Sequence, residues 1–282
     1  MASPFIGAEA MASGSLTRHR LRTHYYPLLP GIYLSNTAPA TLEARISAAW
    51  LWSKGNAVIA GAAASAVHGA QWIDDDVPIE LISANTRPPT GLITYNDSLL
   101  DGEVVSRRGI AVTSIARTGF DVGRRGPRGT AVARLDALCR ATGLSTDSIA
   151  VVAGQHPGSR GLRQLNRVLS LVDPGSESPK ETWLRLLLIR AGLPQPATQI
   201  KVVDGGWVAR LDMGWAELKV AVEYDGGHHY TDRRQYLKDI RRLEKLQELG
   251  WIVVRVVAED RWEEVIRRVG NAVDSRARMR QS

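Results

Sequence analysis

The sequence predicts an α/β protein in more than one part, on three observations. Apolar residues recur at helical spacing in some stretches, as at Tyr236, Ile240, Leu243 and Leu246. Elsewhere they form short continuous or alternating runs, as from Ile252 to Val257. The 282 residues suffice for two domains with real cores, and Asp173-Pro-Gly-Ser-Glu-Ser178 concentrates turn residues like a linker between them.

From the N-terminus, residues 1–36 read as a short arm. Leu16-Thr-Arg-His-Arg-Leu-Arg22 looks like the end of a helix-turn-helix unit, and Leu29-Pro-Gly-Ile-Tyr33 like a strand of its wing. The arm is thus a truncated winged helix. Residues 37–145 read as an α/β region, with helices over 42–54 and 62–68 and strands over Ile79–Ile82, Leu92–Tyr95 and 103–107. Thr113 or Ser114 suits a helix cap, with Phe120 inward and Arg117 paired with Asp121 four residues on. His68 reads as a packed or capping histidine, and Asp74-Asp-Asp76 as a solvated loop. Arg124, Arg125 and Arg128, set among glycines, read as a basic loop able to touch a nucleic-acid backbone. Residues 146–177 read as a helical connector and linker.

The last part, 178–282, starts with Ser178-Pro-Lys-Glu181 opening an apolar helix. Strands follow, ending at Asp212 and near Glu223 and Asp225. A basic helix then opens at Asp232 and stops at Gly250, before the strand Ile252–Val257.

Composition predicts a cytoplasmic protein with polyanion partners. Cys139 is the lone cysteine, which excludes an intramolecular disulfide and a multi-cysteine metal site. The start shows no signal-peptide pattern, and the longest apolar stretch, 57–67, is too short to span a bilayer. The net charge is +7. Residues 1–172 hold 17 Lys+Arg against 12 Asp+Glu, and residues 173–282 hold 19 against 17. The larger excess lies in the N-terminal part.

The most telling residues are Asp212, Glu223, Asp225 and His229. Asp212 closes an alternating run from Trp207; Glu223 and Asp225 end the next run at Gly226-Gly227. Residues i and i+2 of a strand share a face, so Glu223 and Asp225 should point together. Gathered carboxylates repel one another unless a cation sits among them. Oxygen ligands suit Mg²⁺ or Mn²⁺, which can polarise a phosphodiester and activate water. The bland alternative is a surface carboxylate group near a turn. Against it, Val220-Ala-Val222 marks a central strand, where an unpaired charge is costly.

These residues, with Ser178-Pro-Lys-Glu181, Asp239-Ile-Arg-Arg242 and Gly250-Trp251, fall in the order of a known family. Over its last hundred or so residues the chain resembles the PD-(D/E)XK nucleases, and among them the very-short-patch-repair (Vsr-like) endonucleases. The resemblance implies a restriction-endonuclease-like fold with a mixed central sheet. It implies Asp212 and Glu223 as metal ligands, completed by Asp225 or the carbonyl after Glu223. Glu181 would orient a metal-bound water. His229 would act as general acid or base, or stabilise the scissile phosphate. Asp239 and Arg242 would support the site or contact phosphate, and Arg233, Arg234 and Lys238, with Arg242, would contact DNA. The bland reading of that basic helix is a solvated face paired with Glu244 and Glu248. Two departures stand out: Leu211 replaces the proline before the first aspartate, and Glu-x-Lys reads Glu223-x-Asp225. Glu217-Leu-Lys219 is a decoy inside the expected turn, though Lys219 shares strand parity with Glu223.

The upstream region is similar to AbiEi-type antitoxin domains through Gly31-Ile-Tyr33, Ala64-Ser-Ala-Val-His-Gly69 and Val112-Thr-Ser-Ile-Ala-Arg-Thr118. That resemblance implies a toxin partner for the N-terminal region. The expected function is a metal-dependent DNA endonuclease of repair or defence, with DNA as partner and no membrane. The alternative is a non-catalytic DNA-binding regulator, or an antitoxin, with a degenerate nuclease fold.

Overall fold

The computed structural model describes residues 3–85, 87–226 and 233–280. The chain is a mixed α/β protein that divides into two units, Met1–Ser170 and Leu171–Ser282.

The first unit begins with β1 (Phe5–Ile6), α1 (Gly7–Ala12), α2 (Arg18–His24), β2 (Tyr25–Leu29) and β3 (Ile32–Ser35). Thr17 caps α2 by accepting from the Arg20 N–H. The three strands form an antiparallel sheet in the order β1-β3-β2. Then come α3 (Leu42–Trp52), β4 (Val58–Ala60), α4 (Gly61–Val67), β5 (Ile79–Ile82), β6 (Leu92–Tyr95), β7 (Val104–Arg107) and β8 (Ile110–Thr113). These five strands make a mixed sheet in the order β6-β5-β4-β8-β7. Leu29 and Ile32 of the arm share one core with Leu42 and Ile46 of α3 and with Ile59, Ile79 and Val112 of the larger sheet. The arm is therefore packed into the unit. Asp74, Asp75 and Asp76 are exposed, as expected, and Asp75 also accepts from the Leu42 N–H at 2.6 Å, holding the start of α3.

Four helices complete this unit: α5 (Ile115–Arg124), α6 (Arg128–Thr142), α7 (Thr146–Gln155) and α8 (Leu162–Leu169). Ser114 caps α5 by accepting from the Arg117 N–H. Gly119 and Gly123 let α7 and α8 lie against α5. A Cβ there would stand 2.8 Å from Ile149 Cδ1 and 2.5 Å from Leu165 Cδ1. The stretch expected to be a helical connector is helical, and its two helices pack into the first unit. The Cys139 thiol is buried, which pushes it up to about 11 and makes it inert.

The second unit runs α9 (Pro179–Arg190), β9 (Ala197–Asp204), β10 (Trp207–Trp215), a 3₁₀ turn (Ala216–Leu218), β11 (Val220–Asp225), α10 (Arg233–Glu248), β12 (Ile252–Val257) and α11 (Trp262–Met279). The sheet order is β12-β11-β10-β9, antiparallel except for the parallel pair β11–β12. Strand alternation divides the core. Val220 and Val222 face Leu184 and Leu188 of α9 and Val265 and Val269 of α11. Ala221 faces Leu246 of α10 and Trp251. So α9 and α11 cover one face and α10 the other. The expected buried stripe of α10 holds only at its C-terminal end. Leu246 is fully buried, but Tyr236 is 49% exposed. Among the described residues no helix is long and apolar enough to cross a membrane.

Candidate metal centre

The centre lies where β10 and β11 part. Their ladder runs from Trp215↔Val220 to Met213↔Val222. One step further, the Tyr224 N–H donates to Asp212 Oδ2 at 3.0 Å. A backbone donor thus fixes the Asp212 carboxyl opposite Glu223. Across the other edge of β11, Glu223 pairs in register with Arg255 and Asp225 with Val257. Asp212, Glu223, Asp225, Asp239, Arg242 and Arg255 line a cleft of about 170 Å³ at this strand end.

Asp212 is the strained member electrostatically. Its carboxyl is pushed up to about 7, first by burial. The Tyr224 N–H pulls the other way, the nearby charges of Glu181 and Glu223 push it up again, and Arg242 pulls it down. Glu223 accepts a two-pronged contact from Arg242: Nη1 donates to Oε2 at 3.1 Å and Nη2 donates to Oε1. Arg242 Nη2 also donates to the Arg210 carbonyl at 2.8 Å. The Glu223 hydrogen bonds hold Arg242 firmly protonated. Asp225 is buried and paired with Arg255.

The expected residues reach different places. Asp212, Glu223, Asp225, Asp239 and Arg242 come together in the cleft. Arg242 is engaged with Glu223, whereas Arg233 and Lys238 are exposed on α10. Glu181 is not among the residues lining the cleft and lies in the first turn of α9. Its N–H donates to Ser178 Oγ at 3.2 Å, while its Oε1 accepts from the Ser178 hydroxyl and its Oε2 from the Glu177 N–H. This reciprocal cap is a structural use of Glu181, and its charge still reaches Asp212. Lys219 is excluded from the cleft: it takes φ 51°, outside β11, and its Nζ donates to the Leu249 carbonyl at 2.9 Å. His229 and the Arg234 side chain lie outside the described residues. Sequence reasoning missed Arg255. A lone charge in the apolar strand Ile252–Val257 was its signal.

Among the described residues no group of three or more His, Cys, Asp or Glu is gathered to hold a metal. Of the four carboxylates that line the cleft, Asp212 and Glu223 are hard oxygen donors set opposite each other where β10 and β11 part, and Glu223, like Asp225, also has an arginine partner. Mg²⁺ commonly takes one or two carboxylates and keeps water on its other positions. A carboxyl lifted to about 7 first by burial and further by the acidic neighbours Glu181 and Glu223 is also an environment that a cation relieves. The donor pair therefore fits Mg²⁺ or Mn²⁺.

In the first unit, Arg124 is buried and Arg125 partly buried rather than forming an exposed basic loop, while Arg128 is exposed. Arg117 Nε donates to Asp121 at 3.1 Å and its Nη1 to Glu103 at 2.5 Å. Arg124 bonds Asp121 and Asp97, and Arg125 bonds Glu80 and Asp97. His156 contacts Glu103 at 2.7 Å. Each guanidinium has acidic partners, so this network locks α5 onto the sheet. His68 is likewise structural, its Nε2 lying 2.7 Å from the Thr113 carbonyl.

Over 222 residues the chain is 31% identical to two proteins of Mycobacterium tuberculosis. They are the uncharacterized protein Rv2248 of strain H37Rv and the uncharacterized protein MT2308 of strain CDC 1551 / Oshkosh. The match covers 78% of this chain and 81% of each relative. The chain belongs to the family of these two mycobacterial proteins. No family model matches it, and no solved structure does.

Proposed function

We propose that the second unit is a metal-dependent DNA endonuclease of the PD-(D/E)XK kind, close to the Vsr-like branch and acting in repair or defence inside the cell. The observation that carries this reading is the Asp212 carboxyl. Burial, Glu181 and Glu223 hold it near 7 at the point where two strands part. The order helix, three antiparallel strands, helix, parallel strand, helix supports a restriction-endonuclease-like fold. The packed arm and α/β body support the AbiEi-like reading of the first unit.

Asp212 and Glu223 would hold Mg²⁺ or Mn²⁺, with Asp225 or the Glu223 carbonyl beside them. Bound there, the cation supplies Lewis acidity towards the phosphodiester and acidifies a water. Arg242 keeps Glu223 in place and offsets its charge until the cation does so. Arg255 holds Asp225 within the cleft. Exposed Arg233 and Lys238 suit phosphate contacts along α10. Arg234 and His229 keep the roles the resemblance gives them: phosphate contact for Arg234, and for His229 general acid or base, or stabilisation of the scissile phosphate.

One observation favours a second reading. Glu223 and Asp225 already have arginine partners, as a centre that has lost turnover would. The chain would then be a DNA-binding regulator, or an antitoxin with a toxin partner. Plasmid nicking by the full chain across divalent metals separates the two. The parent should nick with Mg²⁺ or Mn²⁺, and Asp212→Asn and Glu223→Gln should each fall by more than about a hundredfold. Lys219→Ala, outside the cleft, should keep its activity. A parent that cleaves under no metal leaves the binding reading.

A further inference from the structure

Across β11 from the carboxylate cleft lies a second cavity, of about 380 Å³. Lys180 and Trp183 of α9 form one wall, and Arg261 and Trp262 at the start of α11 form another. Tyr224 borders both cavities. It lies between Glu223 and Asp225 in the strand, so its side chain faces away from theirs, onto the apolar layer under α9 and α11.

Two features mark this cavity. Trp183 is 46% exposed and Trp262 54%, on helices that otherwise bury Leu184, Leu188, Val265 and Val269. Among the described residues neither indole stacks on another ring of the chain. Two open indoles in one cavity are an unusual exposure of apolar surface. The second feature is charge. Lys180 and Arg261 stand exposed at the rim; Glu263 also lines the cavity, its Oε2 3.9 Å from Arg261 Nε, an exposed pair that gives way readily to a better anion. The neighbouring Asp260 is taken up by Arg268 and by the Val257 N–H. A planar apolar ring with an anion attached matches that arrangement, and a nucleotide is such a group.

We propose that this cavity takes an unpaired base of the strand whose phosphodiester lies over Asp212 and Glu223. The substrate would then be single-stranded or locally unpaired DNA rather than intact duplex. Tyr224 borders both cavities at the end of β11, so a strand passing over that end can present a phosphate to one and an adjoining base to the other. Pairing in a duplex hides the base faces that the indoles would stack against. This substrate preference rests on the endonuclease reading, but its test does not.

Binding by the full chain is measured in EDTA, so that no cleavage enters. The probes are a fluorescein-labelled single-stranded oligodeoxynucleotide, the same strand in a duplex, and a strand of equal length made of abasic residues. A fourth strand carries 2-aminopurine, whose emission falls on stacking. The parent should bind the intact single strand roughly tenfold or more tighter than the abasic strand and should quench 2-aminopurine. Trp183→Ala and Trp262→Ala should each weaken single-strand binding roughly tenfold and lose the quenching, whereas Trp→Phe at either site keeps both. Both side chains are about half exposed, so melting curves should match the parent. Equal affinity of the parent for intact and abasic strands, or quenching that survives both alanine substitutions, would overturn the proposal. Failure to nick DNA with metal would instead remove the endonuclease reading, leaving this result to stand or fall by itself.

Discussion

At the scale of a residue, Asp212 gathers most of the centre's electrostatic tension. Its folded pKa, about 7, lies above the ordinary 3.8, so the fold prefers the protonated acid. The stability this preference lends is complete below pH 4 and is lost as the pH climbs through 7. The full loss is on the order of 4 kcal/mol for a shift of this size. Asp212→Asn stays neutral and can still accept the Tyr224 N–H. We expect it to melt above the metal-free parent at pH 8 and level with it at pH 4, as pH-dependent thermal unfolding would read. Strand parity made Asp212, Glu223 and Asp225 legible in the sequence. Their arginine partners were not legible, because Arg255 arrives through the register of a parallel strand and Arg242 through the packing angle of a helix.

At the scale of an element, the strands Ile79–Ile82, Leu92–Tyr95 and Ile252–Val257 were legible to the residue, because turn-forming residues bound them. The strand through Asp212 runs on to Trp215, since Met213, Gly214 and Trp215 are all buried and the carboxylate interrupts a strand that continues. The stripe of α10 misled for another reason. Helical spacing names a face but not how far the sheet extends beneath it, so Tyr236 stays exposed while Leu246 is covered. The start of α9 was read correctly from Ser178-Pro-Lys-Glu181. There Ser178→Ala removes a cap that accepts one N–H and donates to Glu181. It should destabilise the second unit by about 1 kcal/mol in a denaturant titration.

At the scale of the molecule, each unit has its own apolar core. Length and the turn-rich stretch at Asp173 made a division legible near its place. Reading 146–177 as a helical connector and linker foresaw helices there but not that α7 and α8 pack into the first unit, because the contacts that seat them depend on Gly119 and Gly123 far upstream. The buried ionic network was only partly legible. Arg117 and Asp121 are four residues apart, but Asp97, Glu103 and His156 reach them from distant segments. Removing the guanidinium takes a partner from buried Asp121 and Glu103, which keep Arg124 and His156, so the cost should fall towards the lower end of the about 3–5 kcal/mol typical of a broken buried pair. Arg117→Ala should therefore lower the melting transition of the first unit in calorimetry and leave that of the second in place.

The central claim is that Asp212 and Glu223 form a divalent-cation site. Its most direct test is the melting of the second unit within the full chain, with and without Mg²⁺, at pH 8 and at pH 5. A ligand bound by the folded state alone raises its melting temperature. The account predicts such a rise at pH 8. It should be much smaller at pH 5, where Asp212 holds its proton, and absent in Asp212→Asn and Glu223→Gln. An unmoved parent at pH 8, or an equal rise in both variants, would contradict it.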